Sequence, residues 1–400
     1  MYPHEGSLRF LLWYMHILEI PSFFTPYGGE FCLEQARALK ALGHEVRILS
    51  NVQTSLRISG WRFVVQPWGR HWQEMDGVDV YLSYQHGIPS MIRPNVSRWV
   101  KIVRSMYFDY VGQYGKPDII HAHCAKWAGY AAMLISREHE VPYVITEHLP
   151  KEILQIELGP APSSAWQIPL LTESYRQAGM VITVSDEQVE ELSCYFGHNY
   201  RHQTISNIID TDYFAYRKRR PLENRPFRFC CPALFVERKG YDILFNAVSR
   251  LAECANVQLD IAGLGTDSDA CRELQAAYNC QGLVNSHGAL DKAGVRQMLY
   301  ESDALVLATR GESQGLVLLE AMSTGIPAIS TEAIPRSVRP GVGCRFVPVD
   351  DAKALAEAML DALHHPVADG EALSDWVRRH ASPDVIGRKL VSVFQQVLGS

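Results

Sequence analysis

Two carboxylates eight positions apart flank a segment that could bind a diphosphate. Glu312 lies in a predicted loop, and Glu320 lies inside the helical pattern that begins near Gly315. Free N–H groups and the dipole of a helix start favour anions, here at Leu316 and Val317. A carboxylate repels phosphate but accepts two hydrogen bonds from a vicinal diol. The pattern therefore favours a sugar and a ribose on either side of a diphosphate, as in a nucleotide sugar. The alternative is an ordinary loop glutamate and an ordinary helix glutamate.

Strands and helices must position those residues. Short apolar runs alternate with helical patterns along the chain, which is typical of an α/β protein with parallel sheets. The runs predicted to be strands are residues 16–20, 46–49, 78–82, 119–121, 143–146, 181–184, 227–231, 258–262, 304–308 and 328–330. Ligands of doubly wound sheets bind outside the carboxyl ends of the strands. We therefore expect the chemistry in the loops that follow strands.

The length of 400 residues is about twice that of a common domain, which predicts two domains. A basic, proline-containing stretch separates two series of strand and helix patterns. We place the first domain at residues 1–213, the linker at 214–226, the second domain at 227–382 and a C-terminal helix at 383–400. The helix would pack back on the first domain. The expected fold class is α/β, with two doubly wound domains facing each other across a cleft.

Composition narrows the class of protein. Hydrophobic residues make up 47% and charged residues 20% of the chain, which excludes a disordered protein. The net charge of −6 argues against a surface-wide nucleic-acid binder, so no nucleic-acid partner is expected. Nine cysteines without a C-x-x-C pair indicate reduced thiols in a cytoplasmic protein. The apolar stretch 10–18 is too short to span a bilayer. We interpret it as part of a first buried strand in preference to a signal peptide, with residues 1–14 as an extension.

No metal site is expected. Residues 210–212 and 267–269 both spell D-x-D, a pattern that can bind a metal ion, but they fall in a predicted linker turn and a predicted loop. His121 and His123 alternate along a predicted strand. We expect their side chains to face opposite sides of the sheet and not to chelate one ion.

The segment from Glu312 to Met322, followed by Gly325-Ile326-Pro327, resembles the retaining nucleotide-sugar glycosyltransferases of family 4. Six further segments resemble this family in the same order: residues 21–46, 117–123, 181–185, 207–214, 239–244 and 262–265. The resemblance covers most of the chain. It implies the GT-B fold of two Rossmann-like domains, a nucleotide-sugar donor as substrate and no cofactor.

The resemblance implies a role for each matched position. Glu312 would hold hydroxyls of the donor sugar, Glu320 the ribose, and Lys239 would neutralise the diphosphate. His148 matches the family's active-site histidine near the donor sugar. The alternative for Lys239 is a solvent-facing lysine, and the alternative for His148 is a structural histidine. The remaining donor-binding positions are Gly28, Gly29, Arg238, Gly263, Gly265, Leu290, Gly315, Leu316 and Val317.

One departure affects the phosphate site. Ala233 and Leu234 stand where the family usually has a Gly-Arg pair, so Arg238 would have to supply the second cation. No carboxylate is placed by spacing as a nucleophile. The resemblance implies the family's usual front-face reaction, in which the leaving phosphate takes the acceptor's proton. A metal-independent, retaining hexosyltransferase is expected.

Residues 47–104 reverse the charge of the chain. They carry eight basic and three acidic residues and four of the eight tryptophans: Trp61, Trp68, Trp72 and Trp99. Arg98, Lys101 and Arg104 recur at helical spacing beside Trp99. We hypothesise weak peripheral binding to anionic lipid through this face, where lipid-linked acceptors would be found. The alternative is a solvated helix flank with ordinary core aromatics.

The sequence thus predicts a cytoplasmic glycosyltransferase, peripheral on the inner face of the membrane. It would transfer a sugar to a cell-surface polysaccharide or lipid-linked oligosaccharide precursor. Within enzymes, the alternative is a GT-B nucleotide-sugar epimerase. From another class, it is a catalytically silent nucleotide-sugar-binding partner protein.

Overall fold

The computed structural model describes residues 14–25, 29–54, 60, 62–65, 67–88, 91–149, 151–158, 165–219, 225–366 and 369–399. The chain forms two compact units. One runs to Ile145 and includes the residues from Val391 onward, and the other is Thr146–Leu390. The boundaries predicted at residues 213, 226 and 382 remain predictions.

The first unit alternates strands with helices. Its strands are β1 (His16–Pro21), β2 (Glu45–Thr54), β3 (Gly69–Met75), β4 (Val78–His86), β5 (Ile119–His123) and β6 (Tyr143–Glu147, which reaches the unit boundary). Its helices are α1 (Glu30–Ala41), α2 (Arg62–Val65), α3 (Ile92–Tyr114) and α4 (Tyr130–His139), the last preceded by a π-helical turn (Ala125–Gly129). The strand order is β3-β4-β2-β1-β5-β6, with β3 antiparallel to β4.

The order of strands reverses beside β1. The chain continues from β1 to β2 on one side and later returns to place β5 on the other, both parallel to β1. All six residues of β1 are buried, as expected of a central parallel strand. The reversal makes the carboxyl ends of β1 and β5 the place where this unit would bind a ligand.

The second unit is also α/β. Its helices and strands are α5 (Lys151–Leu158), α6 (Gln167–Gln177), β7 (Met180–Thr183), α7 (Glu187–Phe196), β8 (His202–Thr204), β9 (Phe227–Pro232), α8 (Tyr241–Ala252), β10 (Val257–Ala262), α9 (Asp269–Ala277), β11 (Val284–Ser286), α10 (Lys292–Glu301), β12 (Ala304–Leu307), α11 (Leu316–Ser323), β13 (Ala328–Thr331), β14 (Cys344–Val347), α12 (Ala352–His364), α13 (Gly370–Ala381) and α14 (Pro383–Leu398, which ends in the first unit).

Six strands of this unit form one parallel sheet. Their order is β11-β10-β9-β12-β13-β14, so the order in which strands are added reverses between β9 and β12. β7 and β8 pair with each other in parallel. Helix α8 shows why the sheet is stable: Leu244, Phe245 and Val248 lie on one face of the helix and are buried in the core of the sheet. The loops after β9 and β12 therefore meet at the switch point, where ligands bind.

The structure bears on two further predictions, one on the cysteines and one on membrane-spanning helices. All nine cysteines are free thiols, as predicted, and burial raises the pKa of Cys230 and of Cys231 to about 12. Among the described residues, we find no helix that combines the length and the apolar character needed to cross a bilayer.

Candidate active site

The side chains of Lys239, Glu312 and Arg238 lie together after two neighbouring strands. Lys239 ends a 3-10 turn (Glu237–Lys239) after β9, and Glu312 lies in the loop after β12. The Lys239 ammonium donates a hydrogen bond to one Glu312 oxygen, and an Arg238 nitrogen lies 3.5 Å from the other. Arg238 also donates to the Gly311 carbonyl at 2.6 Å. Two of the three residues predicted to act in catalysis, Lys239 and Glu312, and the predicted second cation are thus in one cluster.

This cluster is largely shielded from water. The side chains of Lys239 and Glu312 are 13% and 11% exposed, and that of Arg238 is 24% exposed. Charges attract more strongly in such a partly desolvated site than in bulk water. Two cations against one carboxylate leave one positive charge in excess. The cluster can therefore bind an anionic group, while Glu312 can accept hydrogen bonds from hydroxyl groups.

A glycine holds the two loops of the cluster together. Gly240 has φ 63°, and a Cβ at this position would lie 2.0 Å from the Ala308 carbonyl oxygen. The Arg310 N–H donates to the Arg238 carbonyl at 2.7 Å. The Thr309 hydroxyl donates to the same carbonyl at 3.2 Å. Only glycine allows this approach, which places Lys239 against the loop of Glu312.

Helix α11 begins beside this cluster with an uncapped first turn. Gly315 precedes the helix in a left-handed conformation, with φ 79°, and no described side chain caps the turn. The N–H groups of Leu316 and Val317 consequently lack partners inside the helix. Glu320 lies one turn further along, on the same face as Leu316, and is half-buried. The helix start can thus donate to an anion, and Glu320 lies behind it.

The turns after β9, β10 and β11 pack against one another through glycines. Gly263 has φ 134°, and a Cβ there would meet the Ala233 carbonyl oxygen at 2.2 Å. Gly265 has φ 89° and lies against Phe235. Leu290 is half-buried in the loop after β11. Leu264, between the two glycines, has a side chain that is 72% exposed. Leu264 was not among the predicted donor-binding positions. An apolar residue between two loop glycines could have indicated it.

His148 follows β6 and is buried, and Glu147 fixes its backbone. One Glu147 oxygen accepts hydrogen bonds from the N–H groups of His148 at 3.0 Å and Leu149 at 3.1 Å. The other accepts from the Tyr175 hydroxyl at 2.7 Å. Glu147 is therefore a positioning residue for the loop that carries His148. The sequence alone did not predict this positioning role for Glu147.

Gly29 precedes α1 in a left-handed conformation, with φ 83°. A Cβ at this position would lie 2.2 Å from the Phe23 carbonyl oxygen, so the turn requires glycine. Gly28, the other donor-binding glycine predicted in this turn, lies outside the described residues. So does Trp61 of the basic region 47–104.

One aspartate of each D-x-D sequence has a local structural partner. The Asp210 carboxylate accepts a hydrogen bond from the Tyr213 N–H at 3.0 Å. Asp269 is paired with Arg272 on the same helix.

Asn207 contacts the loop before α11. The Gln314 side-chain oxygen accepts hydrogen bonds from the N–H and the side-chain amide of Asn207 at 3.0 and 2.9 Å. The 207–214 segment is thus tied to the loop that follows Glu312.

The prediction that His121 and His123 face opposite sides is wrong. Residues two apart on a strand share a face, and both imidazoles contact the buried Glu19 carboxylate of β1, at 3.0 and 2.6 Å. Burial would raise the pKa of Glu19, but the two histidines lower it to about 2. Burial and the charge of His121 lower the pKa of His123 to about 4. Among the described residues, this set has donor atoms within 4.8 Å of one another and could hold a metal ion.

The basic region 47–104 is divided between core and surface. Trp99 and Val103 are buried, and the Trp99 N–H donates to the Asn51 carbonyl at 2.6 Å. Arg104 is paired with Glu138, whereas Arg98 and Lys101 are exposed. The helix face beside Trp99 that was predicted to bind lipid therefore has apolar side chains that are buried in the core. A different group of apolar side chains is exposed nearby, the apolar patch: Val64, Val65, Trp68, Ile88, Met91 and Ile92.

Two family models match this chain. The glycosyl transferase 4-like domain matches residues 28–207, and glycosyl transferases group 1 match residues 226–365. Together with two α/β units and a cation–carboxylate site at a switch point, these matches define the class of GT-B glycosyltransferases. Within that class, the chain belongs to the GT4 type. The predicted family and the predicted α/β class are confirmed.

Sequence relatives cover different parts of the chain. A glycogen synthase of Mycobacterium tuberculosis is 28% identical over 63% of this chain and 62% of its own length. The chain therefore spans less than two thirds of that relative. The putative colanic acid biosynthesis glycosyltransferase WcaL of Salmonella typhimurium is 24% identical over 94% of this chain and 99% of its own. A phosphatidyl-myo-inositol mannosyltransferase of Mycobacterium tuberculosis is 32% identical over 49% of this chain and 54% of its own.

Solved structures share the fold. Sucrose-phosphate synthase from Thermosynechococcus elongatus has a TM-score of 0.76 at 18% identity, over 96% of this chain and 99% of its own. Anabaena HepE in complex with UDP-glucose has a TM-score of 0.69 at 15% identity, over 96% of this chain and 100% of its own.

Proposed function

We propose that the protein is a hexosyltransferase that transfers a sugar, with retention, from a nucleotide-sugar donor to a glycan or lipid-linked oligosaccharide acceptor. Such an acceptor would be a precursor of cell-surface polysaccharide. The observation that carries the proposal is the cluster of Lys239, Arg238 and Glu312 beside the uncapped start of α11. Relatives named for colanic acid biosynthesis and for mannosyl transfer to phosphatidylinositol support this class of acceptor.

The residues of the cluster suit the departure of a nucleoside diphosphate. The bond between the anomeric carbon and the phosphate oxygen breaks, the acceptor oxygen bonds to the same face, and the leaving phosphate takes the acceptor's proton. Lys239, Arg238 and the N–H groups at the start of α11 stabilise the growing negative charge. Glu312 exchanges its bond with Lys239 for bonds from sugar hydroxyls, and Glu320 accepts bonds from the ribose.

The remaining predicted residues have supporting roles in this proposal. His148 lies near the donor sugar, on a backbone that Glu147 fixes. The turns of Gly263, Gly265 and Leu290, with Leu264, border the base. No metal ion takes part, because Lys239 and Arg238 supply the positive charge. A chelator is therefore expected to leave the transfer rate unchanged.

A thermal-shift screen with UDP-, GDP- and ADP-sugars tests donor binding. One of these donors should add about 2.7 kcal/mol to the free energy of unfolding at 100 times its dissociation constant. Lys239→Ala should remove the shift. Lys353→Ala, which removes an exposed lysine of α12, should keep it. If no nucleotide sugar stabilises the wild-type protein, the proposed function fails.

Product analysis distinguishes the two alternatives. A nucleotide-sugar epimerase would release an isomeric sugar and no glycosylated acceptor. A silent binding protein would be stabilised by a donor and would neither hydrolyse it nor transfer its sugar to any lipid-linked acceptor. Transfer of label from the donor sugar to a lipid-linked acceptor would exclude both.

We further propose that the protein works in the cytoplasm, bound peripherally to the anionic inner face of the membrane through the apolar patch. Contacts connect part of this patch: the rings of Trp68 and His86 stack with their centroids 3.7 Å apart, and the Met91 N–H donates to the Ile88 carbonyl at 3.2 Å. The Arg98 guanidinium donates to the His86 carbonyl at 3.2 Å. Exposed apolar side chains next to cations match the boundary between acyl chains and anionic headgroups.

Vesicle co-sedimentation tests this surface. Wild-type protein should bind vesicles rich in phosphatidylglycerol at low salt and dissociate at high salt. Ile92→Ser should weaken binding, because this side chain is 50% exposed within the patch. Phe108→Ser is the matched control, since Phe108 is 72% exposed on the same helix, more than four turns further along. Equal binding by the two variants would refute the assignment of the patch.

A further inference from the structure

A basic cavity of about 360 Å³ lies in the second unit, away from the cluster of Lys239 and Glu312. Arg228 lies at the start of β9, and Asp303 immediately precedes β12. The Asp303 N–H donates to the Arg228 carbonyl at 2.8 Å. Because β9 and β12 are parallel, their amino ends lie on one side of the sheet. The loops of Lys239 and Glu312 follow their carboxyl ends, on the opposite side. The cavity is therefore separate from the proposed donor site.

Positive charge dominates the lining of this cavity. Among the described residues of the lining, five are basic and two are acidic, in a chain whose net charge is −6. The five are Arg217, Lys218, Arg219, Arg225 and Arg228. Arg225 and Asp303 neutralise each other through two hydrogen bonds of 2.6 and 2.7 Å. Four cations and Glu301 remain, which leaves three positive charges in excess.

Arg219 is a half-buried cation whose hydrogen-bond acceptors among the described residues are all neutral. Its guanidinium donates to the carbonyls of Leu299, Tyr300 and Ser302 at 2.9 to 3.1 Å, at the end of α10. It also donates to the carbonyl of Thr324 at 3.0 Å. Burial lowers the pKa of Arg219 to about 10. These contacts cap helix ends, but they supply no formal negative charge to this guanidinium.

Capping does not account for the other cations. The Arg217 guanidinium lies 5.2 Å from the centre of the Tyr300 ring. The side chains of Lys218 and Arg228 form no hydrogen bond or ion pair with the described residues. Cations that outnumber the carboxylates lining a cavity attract anions, and guanidinium groups bind phosphate with paired hydrogen bonds.

We propose that this cavity binds a phosphate group carried by a small molecule, such as a sugar phosphate. Its volume is within the range of small-ligand sites. Lys218 and Arg228 contact the phosphate, and the half-buried Arg219 supplies a further positive charge. Thr324, which Arg219 binds, directly follows α11, the helix whose other end faces the donor site.

Isothermal titration with glucose 6-phosphate, in chloride buffer of constant ionic strength, tests the proposal. Lys218→Gln/Arg228→Gln should weaken binding at least about tenfold, the loss expected for one charge-assisted hydrogen bond. Lys353→Gln/Arg378→Gln is the matched control, because it removes two exposed charges of the same unit. Both this control and Lys239→Ala should bind as the wild type does.

Three results would overturn the proposal: no binding by the wild type, equal binding by both double variants, or loss of binding in Lys239→Ala, which would place the phosphate in the donor site. Vesicles containing phosphatidic acid form a second arm. If Lys218→Gln/Arg228→Gln reduces vesicle binding but leaves the titration unchanged, the phosphate is a lipid headgroup and the small-molecule proposal is wrong. Since the donor site is assayed separately, failure here leaves the proposed transferase function standing.

Discussion

Replacing Lys239 with alanine should slow sugar transfer by about 10²- to 10³-fold, the loss typical of removing one preorganised group that stabilises developing charge. Lys239 is only 13% exposed and is held against Glu312, so little water can take its place. Its ammonium is the cation best placed for the leaving diphosphate. Initial rates with the donor found by thermal shift, followed by release of the nucleoside diphosphate, measure the effect.

Glu312→Ala should reduce transfer by a similar factor but change binding differently. Glu312 is proposed to hold sugar hydroxyls, so its loss weakens binding of the nucleotide sugar. A nucleoside diphosphate without a sugar should bind as well as before or more tightly, because removing the carboxylate frees Lys239 from its ion pair. Lys239→Ala should weaken binding of both ligands. Titration of each variant with both ligands separates the two roles.

Lys353→Ala provides the control for the loss of one lysine, since Lys353 is 77% exposed on α12. Its transfer rate should equal that of the wild type. If Lys239→Ala retained the rate of Lys353→Ala, the cluster would not be the site of phosphate departure. The proposal would then lose its main support.

Buried strands were predictable because their side chains carry the signal. The runs at 16–20, 227–231 and 304–308 correspond to β1, β9 and β12, which lie in the middle of their sheets. Strands buried on both faces are mostly apolar along their length. The strand β3 was not predicted, because it lies at a sheet edge, is partly exposed and has the polar sequence GRHWQEM. The same holds for the three-residue β11, VNS, at the edge of the second sheet.

The site was predictable only in part. Lys239 and Glu312 are 73 positions apart, and local patterns cannot bring them together. The resemblance to a family linked them, and the order of β9 and β12 accounts for their contact. The error at His121 and His123 came from misapplying the two-residue period of a strand. The role of Glu147 depends on its hydrogen bond with Tyr175. The two residues are 28 positions apart, so no local pattern could predict this contact.

Gly240→Ala should both destabilise the protein and impair transfer. The new Cβ would lie 2.0 Å from the Ala308 carbonyl oxygen, and the residue would keep a positive φ of 63°. A left-handed conformation costs about 1–2 kcal/mol for alanine, and the clash must be relieved by moving the backbone. We expect a total loss of about 3–5 kcal/mol in the free energy of unfolding. Chemical denaturation followed by circular dichroism measures this loss.

The matched control is Gly77→Ala in the turn between β3 and β4. Gly77 has φ 78°, but a Cβ there would have no atom within 4 Å, so only the conformational cost of about 1–2 kcal/mol applies. Gly77→Ala should retain full transfer activity. Gly240→Ala should lose activity even at temperatures where it is folded, because separating the loops after β9 and β12 moves Lys239 away from Glu312. If the two variants were equally stable and equally active, the close approach at Ala308 would not be what positions the cluster.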